Sequence, residues 1–248
     1  MNKRCFDASA VTPASLVSTL DIRGQKICQG GTVTIVNCSH PLVSGMQVYP
    51  GDPEVDISIA LEASRDGVNV LRLHMGSQSG THVDSPFHVR NDLPTLDQLD
   101  LRLFMGRAVV VDATGLEPRA TIPHERFTSV DLAAARIVLV RTDWSQYYGS
   151  AHYLAHPAPS LSSLAYLLDH GIHTIGLDCL SLDITPDDPL EATLTNHYLW
   201  SEAGGVIGEN FTNLVAVTSA TPYVSMLPLH LGASDGAPVR AIAFDTLD

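Results

Sequence analysis

Ile137-Val-Leu-Val-Arg141, then Ser160 to His170, then Thr174-Ile-Gly-Leu-Asp178 is the stretch that decides the fold. The two outer runs are short and almost wholly apolar, which suits strands covered on both faces. Between them Ser160 is placed to cap a helix, Leu161, Leu164, Ala165 and Leu168 form one apolar stripe, and Gly171 ends it. Strand, helix and strand in that order predict a layered α/β core. Ala108-Val-Val-Val-Asp112 adds another buried strand upstream.

Further out the strand signals continue. Thr32 to Val36, Val55 to Leu61 with clear alternation, and Val68 to Leu73 read as strands, and Tyr49-Pro-Gly-Asp-Pro53 as a turn-rich loop. Leu214 to Thr218 and Val239 to Phe244 are predicted to close the chain as strands. With no repeat, low-complexity tract or linker in view, residues 32–248 are expected to form one domain. Residues 1–31 read as an N-terminal extension. In it, Thr12-Pro13 with Leu16 and Leu20 predicts a short helix that packs on a partner subunit.

Bulk properties narrow the function. A chain of 248 residues is long enough for a full core. The net charge is -13, and lysine occurs only at Lys3 and Lys26, so nucleic acid is not an expected partner. No apolar run is long enough to span a membrane. Met1-Asn-Lys-Arg4 is followed by Asp7, Ser9, Thr12 and Pro13 and not by an apolar signal core, so a cytoplasmic location is expected. Cys5, Cys28, Cys38 and Cys179 are scattered and read as ordinary thiols, not as a disulfide framework or a cysteine-rich zinc site.

Histidine clusters at one place: His74, His82 and His88. In Gln78-Ser-Gly-Thr-His82-Val-Asp84-Ser-Pro-Phe-His88, the residues Gln78, His82, Asp84 and His88 fall in phase on one face of an extended chain. Pro86 takes the stretch out of a sheet or to its edge. Two imidazoles, a carboxylate and an amide on one face suit a divalent cation such as Zn²⁺ or Mn²⁺. The same residues also allow a hydrogen-bonded strand end, with Asp84 accepting from His82 or from turn amides. A second cluster, His197 and Glu209, flanks Trp200 to Gly205. Spacing alone does not connect it to Asp84. Trp144, Trp200, Tyr49 and Phe87 are expected in the core more than in a pocket, and the other histidines carry no motif.

At this point the chain resembles the metal-dependent cyclase family that includes bacterial kynurenine formamidase and isatin hydrolase. The family motif reads His-x-Gly-Thr-His-x-Asp-x-Pro-x-His, and six of its seven specified residues stand in Gln78 to His88. Further landmarks are Cys38-Ser-His-Pro41, Val48 to Asp52, Arg141-Thr-Asp-Trp144, Gly176 to Asp178 with Ser181, Glu209 to Leu214, and Leu227 through Arg240. The resemblance implies a swivelling β/β/α fold with a mixed sheet and flanking helices, in a homodimer or homotetramer. It implies that Gln78, His82 and Asp84 belong to a first metal site, that His197 and Glu209 serve a second, and that His88 shuttles protons. One or two Mn or Zn ions would activate water against a small cyclic or aromatic amide, lactam, lactone or ester.

Two positions depart from the family. Gln78 replaces the first histidine of the motif; its amide oxygen is a weaker, harder ligand, which tilts the metal toward Mn²⁺ or Mg²⁺ or reduces two ions to one. Asp143 stands where relatives often have glycine. Gln78 keeps two alternatives open: a non-hydrolytic cyclase, dehydratase or isomerase with an altered metal site, and a relative without turnover.

Overall fold

The computed structural model describes residues 25–27, 33–188 and 191–244. The helix expected near Thr12 lies outside them. In chain order the strands are β1 (Gln25–Ile27), β2 (Val33–Asn37), β3 (Asp56–Leu61), β4 (Val70–His74), β5 (His82–Asp84), β6 (Met105–Asp112) and β7 (Thr121–Ile122). They continue as β8 (Ile137–Arg141), β9 (Ala158–Pro159), β10 (Thr174–Leu177), β11 (Val206–Glu209), β12 (Tyr223–Ser225), β13 (Gly236–Pro238) and β14 (Ile242–Phe244). The helices are α1 (Ala63–Asp66), α2 (His124–Thr128), α3 (Leu161–Asp169) and α4 (Thr195–Glu202).

The main sheet runs β1-β2-β14-β12-β6-β8-β10-β11-β5-β13. Its middle, β6-β8-β10-β11, is parallel; the strands on both sides are antiparallel. The sheet curls so far that Ser39, just past β2, bridges to Phe211, just past β11. The result is two β layers and a helix layer, the β/β/α arrangement of the α/β class expected from the resemblance.

Alternation along β8 shows why the central runs are apolar throughout. Ile137 and Leu139 point into the curl, with Val36, Val83, Phe211 and Ala243. Val138 and Val140 point outward, onto Phe127, Leu164, Leu167 and Trp200 of the helix layer. A strand buried on both sides has no polar phase. In β10, Gly176 is required by close packing: a Cβ there would stand 2.8 Å from Leu139 Cδ2. The expected helix is present as α3. Ser160 Oγ accepts from the Ser163 amide, and Gly171 turns the chain at φ +76°.

One expected strand is absent. Leu214–Ala216 is a 3-10 turn, entered through Asn213 at φ +58°, with Leu214 buried and Val215 exposed. An apolar run this short carries no period that separates strand from turn. Val239 to Phe244 is a strand only over β14. Asp143 adopts φ +62°, the left-handed region that favours glycine. Its carboxylate is held by Arg141, at 2.7 and 2.9 Å, and the buried Asp178 carboxylate accepts its amide at 2.8 Å. No described helix is long and apolar enough to cross a membrane.

The hairpin β3–β4 stands apart from the main sheet. Ile57 pairs with Leu73 and Ile59 with Leu71 on one face; Asp56 with His74 and Ser58 with Arg72 form the other. The apolar face is open: Ile59, Leu71 and Leu73 are 69%, 60% and 59% exposed. Its two legs begin four residues after Asp52 and end four residues before Gln78, both of which line the cavity described below.

Candidate metal centre

The site forms where the parallel strands end, the usual place for a ligand in such sheets. β5 lies antiparallel against β11, with His82 opposite Glu209 and Asp84 opposite Ile207. Opposed residues in an antiparallel pair share a face. His82, Asp84 and Glu209 therefore point to the helix layer, where Ile207 packs. α4 crosses that layer and presents His197 one turn before the buried Trp200. After Asp84 the chain leaves the sheet at Pro86 in a 3-10 turn that carries His88. The extended phase expected over Gln78 to His88 thus holds only for His82 and Asp84; turns deliver the other two.

Four side chains converge. His82 Nε2 lies 3.4 Å from Asp84 Oδ1 and 3.5 Å from Glu209 Oε2. His197 Nε2 lies 3.3 Å from Glu209 Oε1 and 3.8 Å from Asp84 Oδ2. All four residues are buried. Ligands bound tetrahedrally at roughly 2.0–2.2 Å stand about 3.3–3.6 Å apart, which the His82–Asp84, His82–Glu209 and His197–Glu209 spacings match, and the ligand atoms fall into two groups lying within 4.8 Å of one another, His82 with Asp84 and Glu209, and Asp84 with His88 and His197.

The histidines are oriented for it. His82 Nδ1 is held by the Gly80 carbonyl at 2.8 Å, and His197 Nδ1 by Asp183 Oδ2 at 2.7 Å. With the Nδ1 proton donated outward, each ring presents the Nε2 lone pair to the centre. Asp183 also accepts the amides of Asn196 and His197, so it fixes the start of α4 as well as the ring.

Electrostatics say what is missing. Both Asp84 oxygens are buried and accept no hydrogen bond. The strand-end alternative, which needed Asp84 to accept from a neighbour, therefore does not fit. Burial would make His82 less basic, but Asp84, Glu209 and the Gly80 carbonyl outweigh it and raise its pKa to about 9. Burial is likewise outweighed at His197, where Asp183, Glu209 and Asp84 raise the pKa to about 10. Burial pushes Asp84 up, while His197 and His82 hold Glu209 well below the usual carboxylate range. The donor set calls for positive charge, and a divalent ion supplies it where protons otherwise would.

His88 sits beside this cluster, its ring centre 5.9 Å from that of His197. Its Nδ1 lies 3.1 Å from Gln78 Nε2 and 3.4 Å from Asp235 Oδ2. All the expected site residues, Gln78, His82, Asp84, His88, His197 and Glu209, are thus brought to one place. They open on a cavity of about 360 Å³, also lined by Tyr49, Asp52, Leu180 and Leu194. Trp144 and Trp200 are core, as expected, whereas Tyr49 is a cavity wall. Sequence reasoning passed over Asp183 and gave Asp235 no role. Asp235 lay in a quoted landmark, but nothing in the spacing marked either residue as the carboxylate behind a histidine.

The "Putative cyclase" family model matches residues 36–184. The chain belongs to the cyclase family. Among curated relatives of this cyclase-family chain, "Kynurenine formamidase" of Bacillus mycoides (strain KBAB4) is 31% identical over 210 residues, 84% of this chain and 95% of that one. The Bacillus anthracis enzyme of the same name is 30% identical over the same shares. Among solved structures, an isatin hydrolase bound to the product analogue thioisatinate superposes with a TM-score of 0.77 at 24% identity, covering 87% of this chain and 93% of that one. Isatin hydrolase A from Labrenzia aggregata gives 0.74 at 25% identity, covering 87% and 94%. A potential metal-dependent hydrolase with cyclase activity gives 0.71 at 24% identity, covering 87% of this chain and 100% of that one. Relatives and donor set together make this cyclase-family chain a metal-dependent amide hydrolase acting on C–N bonds, and they do not favour the non-hydrolytic or inactive alternatives.

Proposed function

We propose that the chain hydrolyses the amide of a small aromatic or cyclic molecule at a centre held by His82, Asp84, His197 and Glu209, with Mn²⁺ or Zn²⁺ as the ion. The observation that carries this reading is Asp84: a fully buried carboxylate with both oxygens unpartnered among two imidazoles and a second carboxylate. The formamide and the isatin named for the relatives are both amides of small aromatic molecules. No lysine or arginine lines the cavity among the described residues, and Asp52 and Glu209 do, which favours a neutral or cationic substrate over an anion.

When bound, the ion supplies a Lewis acid that activates water and polarises the substrate carbonyl. The chain's own residues do the rest. His82 and His197 keep their Nε2 atoms bare through the Gly80 carbonyl and Asp183. Tyr49, Leu180 and Leu194 wall the cavity against an aromatic ring. His88 takes the proton lost as the carbon–oxygen bond forms and delivers it to the departing nitrogen.

The test is metal analysis and turnover on the same preparation, purified without added metal or chelator. The expected result is bound Mn or Zn, with hydrolysis of an aryl formamide or an isatin-type lactam that a chelator abolishes and the ion restores. Full turnover by metal-free protein would overturn the mechanism.

The chain also works, in this reading, as a homodimer or larger assembly built on the β3–β4 hairpin. A row of Ile59, Leu71 and Leu73 facing water, with the half-buried Ile57 beside it, is what an interface leaves uncovered. A second copy is the favoured occupant because the family resemblance implies a self-assembly. A net charge of -13 also sets copies repelling each other, so association needs an apolar contact of this kind. Cys38 and Cys179 are buried free thiols, which supports a cytoplasmic location. The charge likewise supports the absence of nucleic-acid partners.

A further inference from the structure

Gln78 occupies the position where the family motif has a histidine, and its surroundings give the amide a different task. Gln78 Nε2 donates to Asp235 Oδ2 at 2.8 Å and lies 3.1 Å from His88 Nδ1. The amide orientation follows from Asp235: reversed, it would set the Gln78 oxygen against a carboxylate. Asp235 is itself fixed, since its Oδ1 accepts from Ser77 Oγ at 2.8 Å. The space for the amide exists because residue 236 is glycine: a Cβ there would stand 2.7 Å from Gln78 Nε2 and 3.0 Å from Oε1. The side chain is seated between β13 and His88 with both amide hydrogens directed at named partners.

We infer that Gln78 is a positioning residue for His88, acting with Asp235. This rests on the proposed role of His88 in proton transfer. Nδ1 of His88 is flanked by a donor, the Gln78 amide, and an acceptor, the Asp235 carboxylate at 3.4 Å. A ring nitrogen between one donor and one acceptor is held whether or not it carries the proton. Nε2 is then the nitrogen through which His88 exchanges protons with the substrate. A histidine at position 78 that gave its lone pair to a metal would have only its other ring nitrogen for such contacts. Glutamine offers two hydrogens from one nitrogen, enough for both Asp235 and His88.

Gln78 Oε1 is buried and accepts no hydrogen bond, so it is the one atom by which Gln78 could reach an ion. The experiment must therefore separate mounting from ligation.

Gln78→Glu and Gln78→Ala do so. Glu keeps an oxygen of the same reach and adds a charge, but it removes the hydrogens that hold Asp235 and His88. If Gln78 mounts His88, wild type and both variants bind Zn²⁺ with dissociation constants within about threefold of each other. In both variants kcat falls by about tenfold to a hundredfold with KM little changed. The His88 imidazole ¹⁵N resonances of the Zn-loaded protein move as the Nδ1 partners change. Asp235→Asn, which leaves Gln78 in place, gives the same kcat loss and a ¹⁵N shift, and it serves if a Gln78 variant fails to fold. A tenfold or larger loss of Zn²⁺ affinity in Gln78→Ala, or a comparable gain in Gln78→Glu, would overturn the inference. An unmoved His88 resonance in Asp235→Asn and Gln78→Ala would also overturn it. Affinity and resonance are read without turnover, so a chain that failed to hydrolyse any amide would still decide the matter.

Discussion

Glu209 is the register partner of His82: the two sit directly across β11 and β5, and their side chains meet at 3.5 Å. Backbone pairing therefore brings half of the donor set together before any helix is considered. A site built on paired strands inherits their rigidity, which keeps a buried pair of carboxylates close without collapse into other contacts. Asp84 rides two residues along the same strand and faces the same way. Only His197 must be brought in by packing, through α4.

Metal and proton roles separate by substitution. Asp84→Ala is expected to lose both bound metal and turnover, because it removes the carboxylate that faces both histidines. His88→Ala is expected to keep its metal while kcat falls by about 10²–10⁴, the range for a lost acid–base group. Metal content by mass spectrometry and kcat on the same samples check both. Retained turnover in Asp84→Ala would contradict the metal mechanism.

Asp183 meets the metal-site cluster at His197, whose Nδ1 it holds at 2.7 Å. Asp183→Asn should weaken metal binding by about tenfold to a hundredfold, the usual cost of losing such a carboxylate behind a histidine. Chelator competition at fixed pH measures it. An affinity equal to wild type would mean that α4 alone orients the ring.

Acid should release the metal. In the metal-free protein, nearby carboxylates raise His82 to about 9 and His197 to about 10. Each ring must lose its proton to bind, so below about pH 9 metal uptake releases protons and affinity falls as pH falls. Two protonated rings give a slope approaching about two decades of affinity per pH unit. Linkage gives the opposite trend for stability without metal. Both folded-state values lie above the ordinary histidine value, so their stabilisation is complete below about pH 6.5 and is lost as pH rises through 9 and 10. Thermal melts of chelated and loaded protein between pH 6 and 10 should therefore diverge, with the chelated form losing stability as pH rises.

Leu71→Asp combined with Leu73→Asp should convert the assembly to monomers, because both side chains lie on the open apolar face of the hairpin. Light scattering after size exclusion reads the mass directly. The fold should survive, since neither residue belongs to either core cluster. A wild-type chain that runs as a monomer would remove the hairpin from consideration as a self-association surface.

Several features were legible because a local rule and the tertiary context agreed. The β8–α3–β10 unit is one: its strands are buried on both faces, and Ser160 and Gly171 mark the helix ends. Leu214 to Thr218 was not, because an apolar run of that length fits a turn with one buried leucine as well as a strand. Gln78 and His88 were expected on one extended face; they reach the site through a turn and a 3-10 helix instead. Asp183 and Asp235 stayed without roles, since a carboxylate behind a histidine is defined by approach through space and leaves no spacing in the chain.

The sequence by itself determined the chemistry available: His82 and Asp84 on one strand face, His88 just beyond a proline, and the α/β layering of the central strands. Those follow from side-chain alternation and chain stiffness, which act over a few residues. Tertiary structure alone decided that His197 and Glu209 meet Asp84, that no donor satisfies Asp84, and that Gln78 turns its amide to Asp235 and His88. Those depend on strand register and on the docking of α4, which join parts of the chain that no local pattern connects.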